Sequence, residues 1–300
     1  MGTPEFAVPS LEILINNKFN VVAVITAPDK PQGRGQKLTI SPVKECALNH
    51  NIPVLQPTNL KSPEFLAELK SYEANLQIVV AFRMLPEAVW SMPVIGTFNL
   101  HASLLPQYRG AAPINWAIMN GETETGVTTF FLKHEIDTGS IIFQEKESIH
   151  EQDTVGTLYK RLMAKGAQLV LKTVRAIETG NYPSLPQPTE LKINHAPKIF
   201  RETCEINWNQ PSKKIIDFIR GLSPYPAAWT RLNGKVFKIF KAAYVKTVQN
   251  QSPVACGQIT SDNKTYLHVK SEDGWVAIEE FQPEGKKRMA ISEFFRGNKL

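Results

Sequence analysis

Asn99 and His101, one residue apart, are the first pair in this sequence equipped for acyl chemistry. An amide N–H can donate to an oxygen that gains negative charge, and an imidazole titrating near neutrality can move a proton. If Phe98 to Ala102 is extended, the period of two puts both side chains on one face and Leu100 on the other, toward a core. A third candidate, Asp137, falls in the turn Lys133-His134-Glu135-Ile136-Asp137-Thr138-Gly139. Its Asp-Thr-Gly hints at an aspartic protease, but that chemistry needs two carboxylates sharing a proton, and the chain has no second copy. Alone, a histidine on an apolar strand is by default structural, and an aspartate in a turn by default caps its own loop. On the residues alone, the relation of the aspartate to the strand that carries Asn99 and His101 stays open.

The elements around these residues predict how they are held. Val94 to Ala102 begins apolar and runs out into Ser103-Leu104-Leu105-Pro106-Gln107-Tyr108-Arg109-Gly110-Ala111-Ala112-Pro113, as a buried strand does at the edge of an open α/β sheet. Strands are expected at 21–26, 53–55, 76–82, 127–132 and 141–144, with helices at 8–16, 42–50, 63–72, 114–120 and 154–179. This order predicts a Rossmann-like α/β fold over 1–180, an open, mostly parallel sheet with helices on both faces. The Pro-rich stretch at 181–203 reads as a surface linker. A helix at 211–220, with Gly221 as its stop, then opens a second domain, 204–300. Short strands at 235–242, 257–259, 266–269 and 275–280 suit a small all-β, OB-like barrel there.

Charge divides the chain in the same way. Residues 1–200 carry 18 Lys+Arg and 18 Asp+Glu, so the net charge of +6 sits entirely in the last third. Such asymmetry suggests a polyanion-binding module joined to a neutral one. Cys46, Cys204 and Cys256 are odd in number and widely spaced, which argues against disulfides and a zinc site and for small buried apolar residues. No secretory start and no apolar run of membrane length are visible, so a cytoplasmic protein is expected. Gly33-Arg34-Gly35 lacks both the third glycine of a dinucleotide fingerprint and the spacing of a P-loop.

Asn-x-His followed by Ser-Leu-Leu-Pro and Arg-Gly-Ala-Ala-Pro-Ile resembles the signature of the folate-dependent formyltransferases, and the resemblance runs through nearly the whole chain. The Tyr-Arg-Gly-Ala-Ala-Pro-Ile continuation is similar to the branch that acts on methionyl-tRNA. This resemblance implies 10-formyltetrahydrofolate as donor, the amino group of methionine on initiator tRNA as acceptor, and Asn99, His101 and Asp137 as catalytic residues. It implies a folate site along Phe82, Arg83, Leu85, Ser103, Leu104, Leu105 and Pro106. Arg34 and Lys37, in the loop from Pro28 to Lys37, match an insertion that grips the acceptor end of tRNA, and Lys286, Lys287 and Arg288 match a closing basic signature along the nucleic acid. A monomer without metal is expected.

Two features depart from the family. The first apolar strand is absent before Met1-Gly2-Thr3-Pro4-Glu5-Phe6, and Ala81-Phe82-Arg83 stands where relatives have Ala-Tyr-Gly. A glycinamide ribonucleotide formyltransferase would share the three catalytic residues without needing a basic second domain. Sugar-nucleotide formyltransferases and formyltetrahydrofolate hydrolases are further relatives. An RNA-binding protein with an inactive enzyme fold is the reading from another class, and the intact trio argues against it.

Overall fold

The computed structural model describes residues 1–300 apart from 33–36, 136, 189–191, 246–253 and 300, and only the backbone of Gln32 and Lys37. Two compact units interleave along the chain: Met1–Arg109, Thr125–Glu147 and Tyr159–Asn194 form one, and Gly110–Glu124, Ser148–Leu158 and His195–Leu300 the other.

In the first unit β1 (Val24–Ile25) pairs in parallel with β2 (Val54–Leu55), while β3 (Leu76–Val80), β4 (Gly96–His101), β5 (Glu124–Phe131) and β6 (Ile141–Ser148) make a four-stranded sheet in that order. β3 and β4 are parallel; β4 and β5 are antiparallel, with Asn99 opposite Phe130 and His101 opposite Thr128. Met1 and Gly2 join the two sheets, because Gly2 N donates to Ile25 O (3.0 Å), Val80 N to Met1 O (2.9 Å) and the Met1 amine to Ile78 O (2.6 Å). These two residues thus bridge β1 and β3 through backbone bonds. A Cβ on Gly2 would lie 2.6 Å from Ala7 Cβ and 2.8 Å from Val80 O, so only glycine fits there. Beside this stub is a cavity of about 440 Å³, lined by Leu14, Val22, Val24, Leu69, Leu76 and Val174 among others.

The helices are α1 (Val8–Asn16), α2 (Pro42–Asn49), α3 (Pro63–Ser71) and α4 (Val155–Glu178). α2 and α3 start alike: the side chain of Ser41 or Ser62 accepts the backbone N–H three residues on, and proline takes the first helical position. α4 fixes the core side of β4 and β5. Gly166 abuts Leu100, where a Cβ would come within 2.7 Å of Leu100 Cδ2, and the hydroxyls of Thr129 and Thr173 are 2.8 Å apart. With Leu100 committed to α4, strand alternation turns His101 and Thr128 to the opposite face.

The second unit is a six-stranded antiparallel sheet: β7 (Ala228–Leu232), β8 (Lys235–Val245), β9 (Ile259–Ser261), β10 (Leu267–Lys270), β11 (Trp275–Pro283) and β12 (Met289–Ala290), in the order β7-β8-β11-β10-β9 with β12 on β11. Register shifts around Lys241 bend β8, and the sheet curls into a half-barrel. Phe237, Ile239, Val276, Ile278 and Phe281 form one core with Ile215, Ile219 and Leu222 of α5 (Ser212–Leu222).

Gly221 does not stop that helix as expected from sequence, because α5 continues to Leu222. The reason for the glycine is close approach: a Cβ there would lie 2.5 Å from Met119 Cγ and 3.1 Å from Asn115 O, and Asn115 Nδ2 donates to Gly221 O at 2.8 Å. Cys46 and Cys204 are buried and Cys256 partly so.

His268, on β10, has a buried Nδ1 with no hydrogen-bond partner among the described residues, and its ring lies tilted against that of Tyr266, centroids 4.6 Å apart. Burial holds its pKa below the ordinary value, against the opposing pull of Asp262. The unfolded chain therefore binds a proton that the folded one refuses, so the stability contributed by neutral His268 is fully present above its unfolded pKa and is lost as pH falls below it. The urea midpoint should drop between pH 7 and 5.5, and His268→Phe should flatten that drop.

Candidate functional site

His101 is the best-determined of the three sequence-predicted catalytic residues. It ends β4, is 6% exposed, and its Nε2 lies 2.8 Å from the carbonyl oxygen of Tyr108. A carbonyl only accepts, so Nε2 carries the proton and Nδ1 is left with its lone pair. Nδ1 lies 3.9 Å from Asp137 Oδ2, with both side chains largely shielded from solvent. The strand and the turn thus converge as expected from sequence, at ion-pair rather than direct hydrogen-bond range. Asn99, partly exposed, precedes His101 by two residues on β4, so alternation puts it on the same face.

Asp137 holds a left-handed backbone, φ 55°, a conformation that aspartate tolerates better than most side chains. The turn is pressed onto the end of β5: a Cβ on Gly139 would fall 1.6 Å from Phe131 O, so no other residue can stand there. Gln187 anchors the turn, its Nε2 donating to Asp137 O (2.7 Å) and Gly139 O (2.9 Å). The stretch read as a linker therefore supplies a buried residue to this site, brought in by the mutual backbone bonds of Leu185 and Ile141 (2.8 and 3.0 Å).

The loop after His101 is stiffened by polar contacts that sequence reasoning missed. Thr128 Oγ1 donates to Ser103 O (2.7 Å) and accepts from Leu105 N (3.2 Å), while Gln144 Nε2 donates to Leu105 O (2.9 Å) and Thr128 Oγ1 (3.0 Å). Ser103 Oγ donates to Gln107 O at 2.6 Å, and Tyr108 N to Asn194 O at 2.6 Å. Leu105 packs with Phe130 and Ile141, while Leu104 faces Gly126, where a Cβ would come within 2.5 Å of it. Pro106, next in the chain, is buried. The only signal for Thr128 was its register opposite His101, which a single sequence does not reveal.

The expected folate residues at 82–85 divide. Leu85 contributes its side chain to the core, so only its backbone can face a ligand. Arg83, in place of the family's glycine, donates to the carbonyls of Pro57 and Thr58, with its guanidinium 5.7 Å from the Phe82 ring centroid. The arginine is accommodated by bonding to the loop after β2.

Of the basic residues, Arg34 and the side chain of Lys37 lie outside the described residues. Lys30–Gln32 pairs antiparallel with Lys37–Thr39, and the preceding Asp29 accepts from Lys44 Nζ (2.5 Å) and Gln56 Nε2 (2.8 Å). Those bonds, Lys44 first, hold the Asp29 carboxyl below the usual carboxylate range. Lys286, Lys287 and Arg288 are all exposed. Lys286 donates to Asn298 Oδ1 (3.1 Å), and Arg288 pairs with Glu280 and lies over the Phe240 ring at 4.6 Å. Among the described residues no cluster of side chains is suited to hold a metal ion, and no helix is long and apolar enough to cross a membrane.

A Rossmann-like unit carrying Asn99, His101 and Asp137, in a chain that also holds a curled antiparallel sheet, defines the class. Residues 1–174 match the formyl transferase family and residues 198–299 its C-terminal domain, so the chain belongs to the formyl transferase family. It is similar to a methionyl-tRNA formyltransferase of Bacteroides fragilis (strain YCH46), 54% identical over 305 residues that cover 99% of this chain and 93% of the relative. The methionyl-tRNA formyltransferase of Parabacteroides distasonis is 55% identical over 309 residues, 100% of this chain and 94% of the relative. Solved structures with this fold include WlaRD, a sugar 3N-formyl transferase (TM-score 0.68, 24% identity, 95% of this chain and 97% of that one). HypX from Aquifex aeolicus, in complex with tetrahydrofolic acid, also shares it (TM-score 0.60, 21% identity, 84% of this chain and 44% of that one). At these identities the two structures speak to the fold alone.

Thr128→Val removes the hydroxyl on which the Ser103 to Leu105 loop hangs. Each buried group left unpaired costs about 1–3 kcal/mol. Urea denaturation should show a loss of that order, with faster hydrogen exchange at the Leu105 amide; Thr128→Ser should lose much less.

Proposed function

We propose that the chain transfers the formyl group of 10-formyltetrahydrofolate to the amino group of methionine on initiator tRNA, a step in translation initiation. The chemistry rests on one observation: His101 has its Nε2–H committed to the Tyr108 carbonyl and its Nδ1 lone pair turned toward Asp137. The acceptor rests on relatives above 50% identity, aligned end to end, that carry that name.

In the reaction the C–N bond to the folate nitrogen breaks, a C–N bond to the methionine nitrogen forms, and one proton passes from the attacking amine to the departing nitrogen. The folate supplies the formyl carbon and the leaving nitrogen. Asn99 donates its amide N–H to the formyl oxygen as negative charge builds there, an interaction worth about 3–4 kcal/mol at comparable sites. His101 receives the amine's proton on Nδ1, directly or through a water, and Asp137 stabilises the imidazolium and keeps the ring oriented. The wall of Ser103, Leu104, Leu105 and Pro106 holds the pterin side of the donor, with backbone groups of Phe82, Arg83 and Leu85 along its edge.

The tRNA is shared between two places. Arg34 and Lys37 take the acceptor end, and Lys286, Lys287 and Arg288 contact the backbone from the basic part of the chain, residues 204–300. Residues 1–180 carry the chemistry, joined to that part through 181–203. The protein acts in the cytoplasm as a monomer.

His101→Ala should abolish transfer while leaving tRNA affinity within about threefold, because its ring moves protons and holds no phosphate. Quenched-flow formylation and filter binding measure the two separately, and a parallel loss of both would refute the division. Replacing Lys286, Lys287 and Arg288 by glutamine should weaken tRNA binding and flatten its dependence on salt by up to about two or three ions. An unchanged slope would remove them from the interface. Offering Met-tRNA, glycinamide ribonucleotide and water as competing acceptors, with mass spectrometry of the products, tests the substrate.

A further inference from the structure

Gln187 is 8% exposed and uses both ends of its amide. Its Oε1 accepts from Arg109 Nε (3.1 Å) and Nη2 (2.5 Å), and its Nε2 donates to the backbone oxygens of Asp137 and Gly139. One side chain thus ties three stretches distant in sequence: the residue after Tyr108, whose carbonyl holds His101; the turn that carries Asp137; and the chain beyond α4. We propose that Gln187 is a positioning residue for formyl transfer, setting the Asp137 carboxylate against the His101 imidazole and registering both to Arg109. This inference rests on the reading of Asn99, His101 and Asp137 as the catalytic set.

The physical case is one of leverage. Asp137 sits in the left-handed region, in a turn whose backbone a non-glycine residue would leave for a more populated conformation. Two hydrogen bonds from one buried amide oppose that relaxation. His101, by contrast, is locked within β4 and by Tyr108, so the 3.9 Å gap between the pair is controlled from the aspartate side. A carboxylate is a poor substitute for the amide: Gln187→Glu keeps an acceptor for Arg109 but turns a charged oxygen toward the two carbonyls. Gln187→Asn is one methylene short of spanning both partners.

Displacing a catalytic group by about 1 Å costs on the order of a hundredfold in rate. In single-turnover formylation, Gln187→Ala and Gln187→Glu should therefore lower the transfer rate by roughly tenfold to a hundredfold, with KM for folate and for tRNA changed by less than about threefold. The discriminating measurement is a cycle with Asp137→Asn. If Gln187 acts through Asp137, adding Gln187→Ala to Asp137→Asn costs nothing further; if it only stabilises the fold, the two losses multiply. Melting temperatures of all variants monitor folding. A wild-type rate in Gln187→Ala and Gln187→Glu, or multiplying losses, overturns the proposal. A wild-type rate in Asp137→Asn itself overturns the catalytic reading beneath it, so the two failures are separable.

Discussion

The site depends on a buried hydrogen bond inside one segment, from His101 Nε2–H to the carbonyl of Tyr108, seven residues on. It selects a single tautomer of an otherwise ambiguous ring and thereby decides which nitrogen can receive a proton. It also closes the chain from His101 to Tyr108 into a loop whose end is tied to its own start. Tyr108 accepts a left-handed backbone there, φ 59°, and Asn194 holds its N–H from outside. Backbone strain and outside anchoring coincide at the residue that fixes the imidazole.

A ring held so tightly needs a strand that cannot rotate. β4 lies between a parallel neighbour, β3, and an antiparallel one, β5, with α4 packed on Leu100 at Gly166. Sliding β4 by one residue would turn Leu100 into the cleft and His101 into the core, so burial of the leucine enforces the direction of the histidine. The same logic extends across the sheet. β3 has its other edge capped by Met1 and Gly2, whose backbone groups supply the pairing that keeps β1 and β3 in one layer despite the cavity beside them.

What the sequence made legible follows from which interactions are local. The alternation around Leu100 and the apolar stripe of α5 are patterns of neighbours along the chain, and each of these elements appears within a few residues of its expected span. Asn99, His101 and Asp137 could be singled out as candidates because they sit in short, unusual strings. Thr128, Gln144 and Gln187 were not, since each works through backbone atoms of a segment far away in sequence, and backbone acceptors leave no mark on composition. Gly221 misled for a related reason: a glycine required by a crossing helix and one required by a helix end look identical in one dimension. The Pro-rich stretch around Gln187 reads as polar and irregular, yet two backbone bonds at Leu185 and one buried amide make it part of the site.

Charge completes the separation of tasks. Within the first 200 residues acids and bases cancel, and the carboxylate of Asp137 stands 3.9 Å from His101 Nδ1. The net positive charge is confined to the last hundred residues, where a polyanion can be attracted. Charge in the last hundred residues can therefore be altered by substitution without touching Asn99, His101 or Asp137, whereas Arg34 and Lys37, the other two cations proposed for the tRNA, fall in the same stretch of chain as those three.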